Sequence, residues 1–136
     1  MTYFKIFLCC LMLGVLGIAG CSNTSSSSGY GSGAGYKINL TTSADRVPQG
    51  GNAIIFANVQ DAQGNPVNDS TSGRITFTSE WGGTISTAGP ITMGNCTVTY
   101  NAPGKDDDDQ PAVIVDRITA SYQGAIAWVS IQVYKP

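Results

Sequence analysis

The chain has no histidine and a single glutamate, Glu80. Imidazole is the side chain whose ordinary pKa places proton transfer near neutral pH, and it is the usual nitrogen ligand of zinc and copper, so most general-base and transition-metal chemistry loses its tools. Positive charge is also scarce: 7 Lys and Arg stand against 9 Asp and Glu in 136 residues, a formal net charge of −2. No cluster of cations is present to neutralise phosphates, which argues against nucleic acid as a partner. Asp45, Asp61 and Asp116 have Ser or Thr neighbours, but no His or Lys sits in a base motif that could activate a nucleophile. The expectation is a protein that is not an enzyme, with no catalytic residue and no cofactor. What is abundant is hydrophobic residues, at 42%, and glycine, at 17 residues. That is the composition of one globular, turn-rich domain.

After Lys5 the chain runs apolar through residues 6–19, a stretch short of the roughly 20 residues needed to cross a hydrocarbon core and shaped like an export signal. It closes on Ile18-Ala19-Gly20-Cys21, an aliphatic residue, two small residues and a cysteine. This resembles the lipobox of bacterial lipoproteins. The resemblance implies cleavage before Cys21, a diacylglycerol on its thiol and a further acyl chain, such as palmitate, on its amine. Two or more chains anchor a protein stably. Ser22, in place of the aspartate that in this family favours inner-membrane retention, points to the outer membrane or cell surface. Residues 22–35 are nearly all Ser, Gly, Asn, Thr or Ala. Such a segment is expected to be an unfolded tether, with a root-mean-square span of about 20 Å, that lets the domain stand clear of the headgroups. The expected organisation is a signal peptide over residues 1–20, a lipidated cysteine and tether over 21–35, and one domain over 36–136.

Residues 36–136 alternate apolar and polar with period two between turn signals, and show no helical period. Strands are predicted over residues 36–42, 53–60, 74–79, 91–100, 116–122 and 125–134, with a short one near Ile85. Asp61-Ala62-Gln63-Gly64-Asn65-Pro66 and Gln123-Gly124 are turns. With no helices to cover a parallel sheet, this predicts an all-β, immunoglobulin-like, two-sheet antiparallel sandwich of about seven strands. Thr42-Ser43-Ala44-Asp45-Arg46-Val47-Pro48, the run from Val59 to Val67, Ile75-Thr76-Phe77-Thr78 before Gly82-Gly83-Thr84-Ile85, and Ile118-Thr119-Ala120-Ser121-Tyr122 resemble the bacterial immunoglobulin-like repeats of invasin and intimin type. The resemblance implies a role in adhesion, or as an accessory subunit of a cell-envelope or extracellular assembly, and no catalytic residues. The chain departs from these repeats in an acidic insertion after Tyr100 and in having a single such unit.

Three features carry site expectations. Trp128 and Ile126 have the opposite parity from Ala127 and Val129, so they belong on the outer face of the last strand; with Trp81 they are candidate partner-binding residues, the bland reading being packing under a loop or the N-terminal strand. Asp106, Asp107, Asp108 and Asp109, with Asp116 nearby, could supply oxygen ligands to calcium. A small calcium- or carbohydrate-binding module using this acidic loop is therefore the alternative function, against a plain solvated charge run. Cys96 is the one thiol left after signal removal and acylation, so no intramolecular disulfide is expected. It is either a buried apolar side chain, alternating with Val98 and Tyr100, or a thiol that is reactive or held in an intermolecular disulfide.

Overall fold

The computed structural model describes residues 28–104 and 111–136 and contains no helix among them. Strands are β1 (Ser28–Gly33), β2 (Tyr36–Thr42), β3 (Arg46–Pro48), β4 (Asn52–Asp61), β5 (Thr76–Ser79), β6 (Thr84–Ile85), β7 (Asn95–Asn101), β8 (Val113–Tyr122) and β9 (Ala125–Tyr134). They form a five-stranded sheet in the order β1-β2-β4-β7-β6 and a four-stranded sheet in the order β3-β9-β8-β5. Every pairing is antiparallel except β3 with β9. The all-β, immunoglobulin-like two-sheet sandwich is thus the architecture found, with nine strands in place of about seven.

Side-chain alternation decides which face each strand buries. Ala53, Ile55, Ala57 and Val59 of β4 point inward while Ile54 and Phe56 are exposed; Ala125, Ala127, Val129, Ile131 and Val133 of β9 point inward while Ile126 and Trp128 are exposed. Ile38, Leu40, Ile55, Val98, Tyr100, Ile118 and Ile131 from both sheets meet in one buried core. Burial of each such side chain contributes about 1.5–3 kcal/mol. Between β2 and β3 the chain crosses from one sheet to the other within Ser43, Ala44 and Asp45, and the Asp45 carbonyl accepts from the Gln132 N–H at 2.7 Å.

Two expectations need correction. The first concerns the tether: its last part, Ser28–Gly33, is a strand paired along its whole length with β2 through a tight turn at Ala34 and Gly35, whose φ values are 47° and 82°. Composition pointed the other way because a Ser/Gly segment has no apolar side chains to bury. β1 buries none. Its inward positions are Gly29, Gly31 and Gly33, in register with Leu40, Ile38 and Tyr36. A Cβ at Gly29 or Gly31 would fall on the carbonyl oxygen of Trp128 or Ile126. Bare backbone therefore lies directly on the edge of β9, where Cα–H groups can meet carbonyl oxygens. β3 pairs only with Gln132, Val133 and Tyr134, so β1 covers a stretch of the β9 edge that would otherwise lie open to strand addition.

The second correction falls at residues 91–100, read as one strand. Ile91 bridges Asp69, and the chain then folds back through Met93 and Gly94, both at positive φ, before β7 starts at Asn95. Gly94 is required there twice over, by its φ of 79° and by the Val59 carbonyl oxygen that would lie 2.9 Å from a Cβ.

Candidate interaction surface

The outer face of the four-stranded sheet is set by the β8–β9 register. Thr119 lies opposite Trp128, Ser121 opposite Ile126, Arg117 opposite Ser130 and Val115 opposite Gln132. Trp128 is 52% exposed and Ile126 57%, with Val113 and Val115 further along the same face of β8. The outward placement expected from parity is observed, and Trp128 is not packed under a loop. The Arg117 guanidinium stacks over the Trp128 ring at 4.9 Å, and its Nε lies 3.7 Å from a Glu80 carboxylate oxygen. A second arginine, Arg46, stacks over Tyr134 at 4.6 Å. Both partners of the Arg117–Glu80 pair are more than half exposed, so screening leaves it worth well under about 1 kcal/mol.

Trp81 is 54% exposed and reaches the surface on the loop that follows β5. That loop is held by a residue the sequence reading placed elsewhere. Asp116, expected as a calcium ligand with the acidic segment, is fully buried in β8. Its Oδ2 accepts from Ser79 Oγ–H and Tyr100 O–H, each at 2.7 Å, and its Oδ1 from the N–H groups of Glu80 and Trp81, each at 3.0 Å. Four donors leave that carboxylate no room for a cation. Asp106, Asp107, Asp108 and Asp109 lie outside the described residues, as does Cys21. Among the described residues no group of three or more His, Cys, Asp or Glu could hold a metal ion. The cue to Asp116 was present in the sequence: it has the same parity as Ile118 and Ala120, so a strand that buries those two must bury the carboxylate.

Gly83 completes this corner. A Cβ there would lie against the Tyr100 ring and 2.9 Å from Asp116 Oδ2, so the loop can close over the carboxylate only without a side chain. Burial, reinforced by the hydrogen bond to Asp116 and its negative charge, pushes the Tyr100 phenol far above the ordinary tyrosine range. The folded value exceeds the unfolded one, so stability is retained below about pH 10 and lost as pH rises beyond it. Raising pH from about 10 to 12 is therefore expected to lower stability by about 1.4 kcal/mol per pH unit, read as a falling urea midpoint, with Tyr100 ionising only as the domain unfolds. Tyr100 titrating in a still-folded domain would contradict the buried pairing.

Of the other two aspartates considered for hydrolysis, one has a structural side-chain role. Asp61 caps the turn after β4, accepting from the N–H groups of Gln63 and Asn65 and from the Asn65 amide. These bonds, the Asn65 side chain first, hold its carboxyl below the usual range. Asp45 sits in the sheet-to-sheet crossing.

Among the described residues Cys96 is the one free thiol; it is buried, its Sγ–H points at the Gly89 carbonyl at 3.7 Å, and burial pushes its pKa up. Of the two readings, the buried side chain is the one observed. The thiol is expected to react with an aromatic disulfide reagent at least about 100-fold more slowly in the native protein than in denaturant, because the thiolate is the reacting species. Comparable rates in the two states would show an accessible, reactive cysteine.

Comparison of the chain with protein-family models, with curated proteins and with solved structures found no match in any of the three.

Proposed function

We propose that the chain is a membrane-anchored lipoprotein presenting a single immunoglobulin-like domain of the invasin and intimin type, as a non-enzymatic interaction module for adhesion or as an accessory subunit of a cell-envelope assembly. The observation that carries this reading is the outer β8–β9 face, where Trp128 and Ile126 stand more than half exposed on two paired ten-residue strands. Aromatic and arginine side chains on a rigid scaffold are the groups that dominate binding surfaces. Arg117 stacked on the Trp128 ring lowers the ordering cost of binding by up to about 1 kcal/mol. The lipobox residues Ile18-Ala19-Gly20-Cys21 support the anchor, and the closing β8–β9 hairpin supports the domain type.

A photo-crosslinking residue at position 128, in the mature protein in its native membrane, should give a defined adduct. The same residue at Asn58, on the outer face of the opposite sheet, should give at least tenfold less. Equal yields at the two positions would remove the assignment of binding to this face.

A further inference from the structure

We infer that the β8–β9 face around Trp128 and Ile126 rests on the headgroup layer of the membrane that holds the chain. The inference rests on the membrane anchor of the proposed function, with Cys21 acylated, and names the membrane itself as the partner of this face.

The folding of β1 sets the length of the tether. With Ser28 already in a strand, only residues 21–27 separate the lipid from the sandwich. Fully extended, seven residues reach about 25 Å, and as a Gly/Ser-type coil they span about 15 Å. About 5–8 Å of that is spent crossing the headgroup layer itself. The remainder is less than the diameter of a domain of about 100 residues, whose radius of gyration is about 13 Å. As a coil the remainder is about 7–10 Å, about one Debye length, so the sandwich is held close to the headgroups.

The point of entry selects the side. Ser28 leads into Gly29, whose α-carbon abuts the Trp128 carbonyl, so the lipid-bearing segment arrives beside Trp128. Chemistry selects the face. Trp128, Ile126 and Tyr134 are accompanied by Arg117, which also pairs with Glu80, and by Arg46, both stacked on aromatic rings. Amphipathic aromatic rings settle at the headgroup level, and arginines near the surface are drawn to anionic lipids. The outer face of the five-stranded sheet carries the row Asn39, Asn58, Asn95, with Asn58 donating to Asn95 at 3.2 Å, and Thr97 and Thr99 beside it. That face also carries Tyr30, Ile54, Phe56 and one cation, Lys37, among its amides and hydroxyls, against Trp128, Ile126, Val113, Val115 and two arginines on the other, and it faces outward when the other sheet lies down. Tethering adds an effective concentration in the millimolar range, so even a weak affinity for lipid is satisfied before a diffusing protein arrives.

The test uses the two tryptophans of the chain. The mature protein, with acylation of Cys21 verified by mass spectrometry, is reconstituted into vesicles of phosphatidylethanolamine and phosphatidylglycerol in a 3:1 ratio. Trp81→Phe leaves Trp128 as the only indole, and the unacylated Cys21→Ser chain with the same change gives the aqueous reference. The acrylamide quenching constant of Trp128 is expected to fall at least threefold on vesicles, with a blue shift. It is expected to return toward the reference when 14 Gly/Ser residues are inserted after Asn23, and to rise again in Arg117→Gln. An acylated protein whose Trp128 is quenched as in the aqueous reference overturns the inference while leaving the anchor intact, and assigns the face to a protein partner. An unacylated Cys21 overturns both.

Discussion

Asp116→Ala is expected to be the most destabilising single substitution in the domain. It leaves the Ser79 and Tyr100 hydroxyls and the Glu80 and Trp81 amides without their acceptor, in a place sealed from water. Stranding one buried donor costs about 1–3 kcal/mol, and disrupting a buried charged network about 3–5 kcal/mol. Because domains of this size are stable by only about 5–15 kcal/mol, a loss of about 4 kcal/mol lowers Tm by about 15 °C or more. Asp116→Asn keeps one acceptor oxygen but turns an amide N–H₂ toward donors, so it should recover little. Thermal and urea unfolding of the two variants decides the matter. A loss below about 1 kcal/mol would mean that the corner is held by the packing of Tyr100 and Gly83 and not by the carboxylate. The loop that presents Trp81 should loosen in the same variants, seen as faster amide exchange at Glu80 and Trp81 while the β8–β9 ladder stays protected.

Gly31→Ala is the second large effect. One methyl group at this position would coincide with the Ile126 carbonyl oxygen, with the next β9 atoms close behind. Backbone cannot yield there as a flexible side chain could, so β1 must lift from β9 or lose its pairing with β2. A cost of about 2 kcal/mol or more is expected, at the upper end of overpacking, together with loss of amide protection across residues 28–33. Ser32→Ala, at the adjacent exposed position, should stay within about 0.5 kcal/mol of the parent. If Gly31→Ala exchanges like the parent, β1 is not seated on β9 and the short tether argued from it lengthens again. The variant thus also reports on membrane contact: a released β1 adds length to the tether and should expose Trp128 to acrylamide.

The legible parts of the fold were those with period-two patterning and flanking turns. β8 and β9 alternate buried with exposed or half-buried residues over ten positions and β4 over nine, though β8 starts at Val113, ahead of the predicted 116, and parity alone set Ile126 and Trp128 outward. The Gln123-Gly124 turn was equally plain, since φ values of 47° and 85° are what a two-residue hairpin needs. Residues 91–100 misled because Met93-Gly94 interrupts an otherwise strand-like run, and a positive φ at methionine has no compositional signal. Asp116 misled for a different reason. Its neighbours in sequence suggested a shared charge cluster, whereas its parity placed it inside, and parity was the better guide. For the candidate surface, exposure could be read from the sequence, but the stacking of Arg117 and its link to Glu80 could not, because those residues come from three separate segments.

The sequence by itself determined the fold class, the outward placement of Ile126 and Trp128 and the lipobox pattern, since each depends on local periodicity or on neighbouring residues. Only the tertiary structure decided that a Ser/Gly segment is a strand and that an aspartate closes a corner. A run of glycines is stable as a strand only when another backbone approaches where side chains would have been, and that backbone, β9, lies about a hundred residues away. A buried carboxylate is tolerated only when donors converge on it from elsewhere, and here they come from β5, the loop after it and β7. Both depend on partners distant along the chain, which no window of local sequence contains.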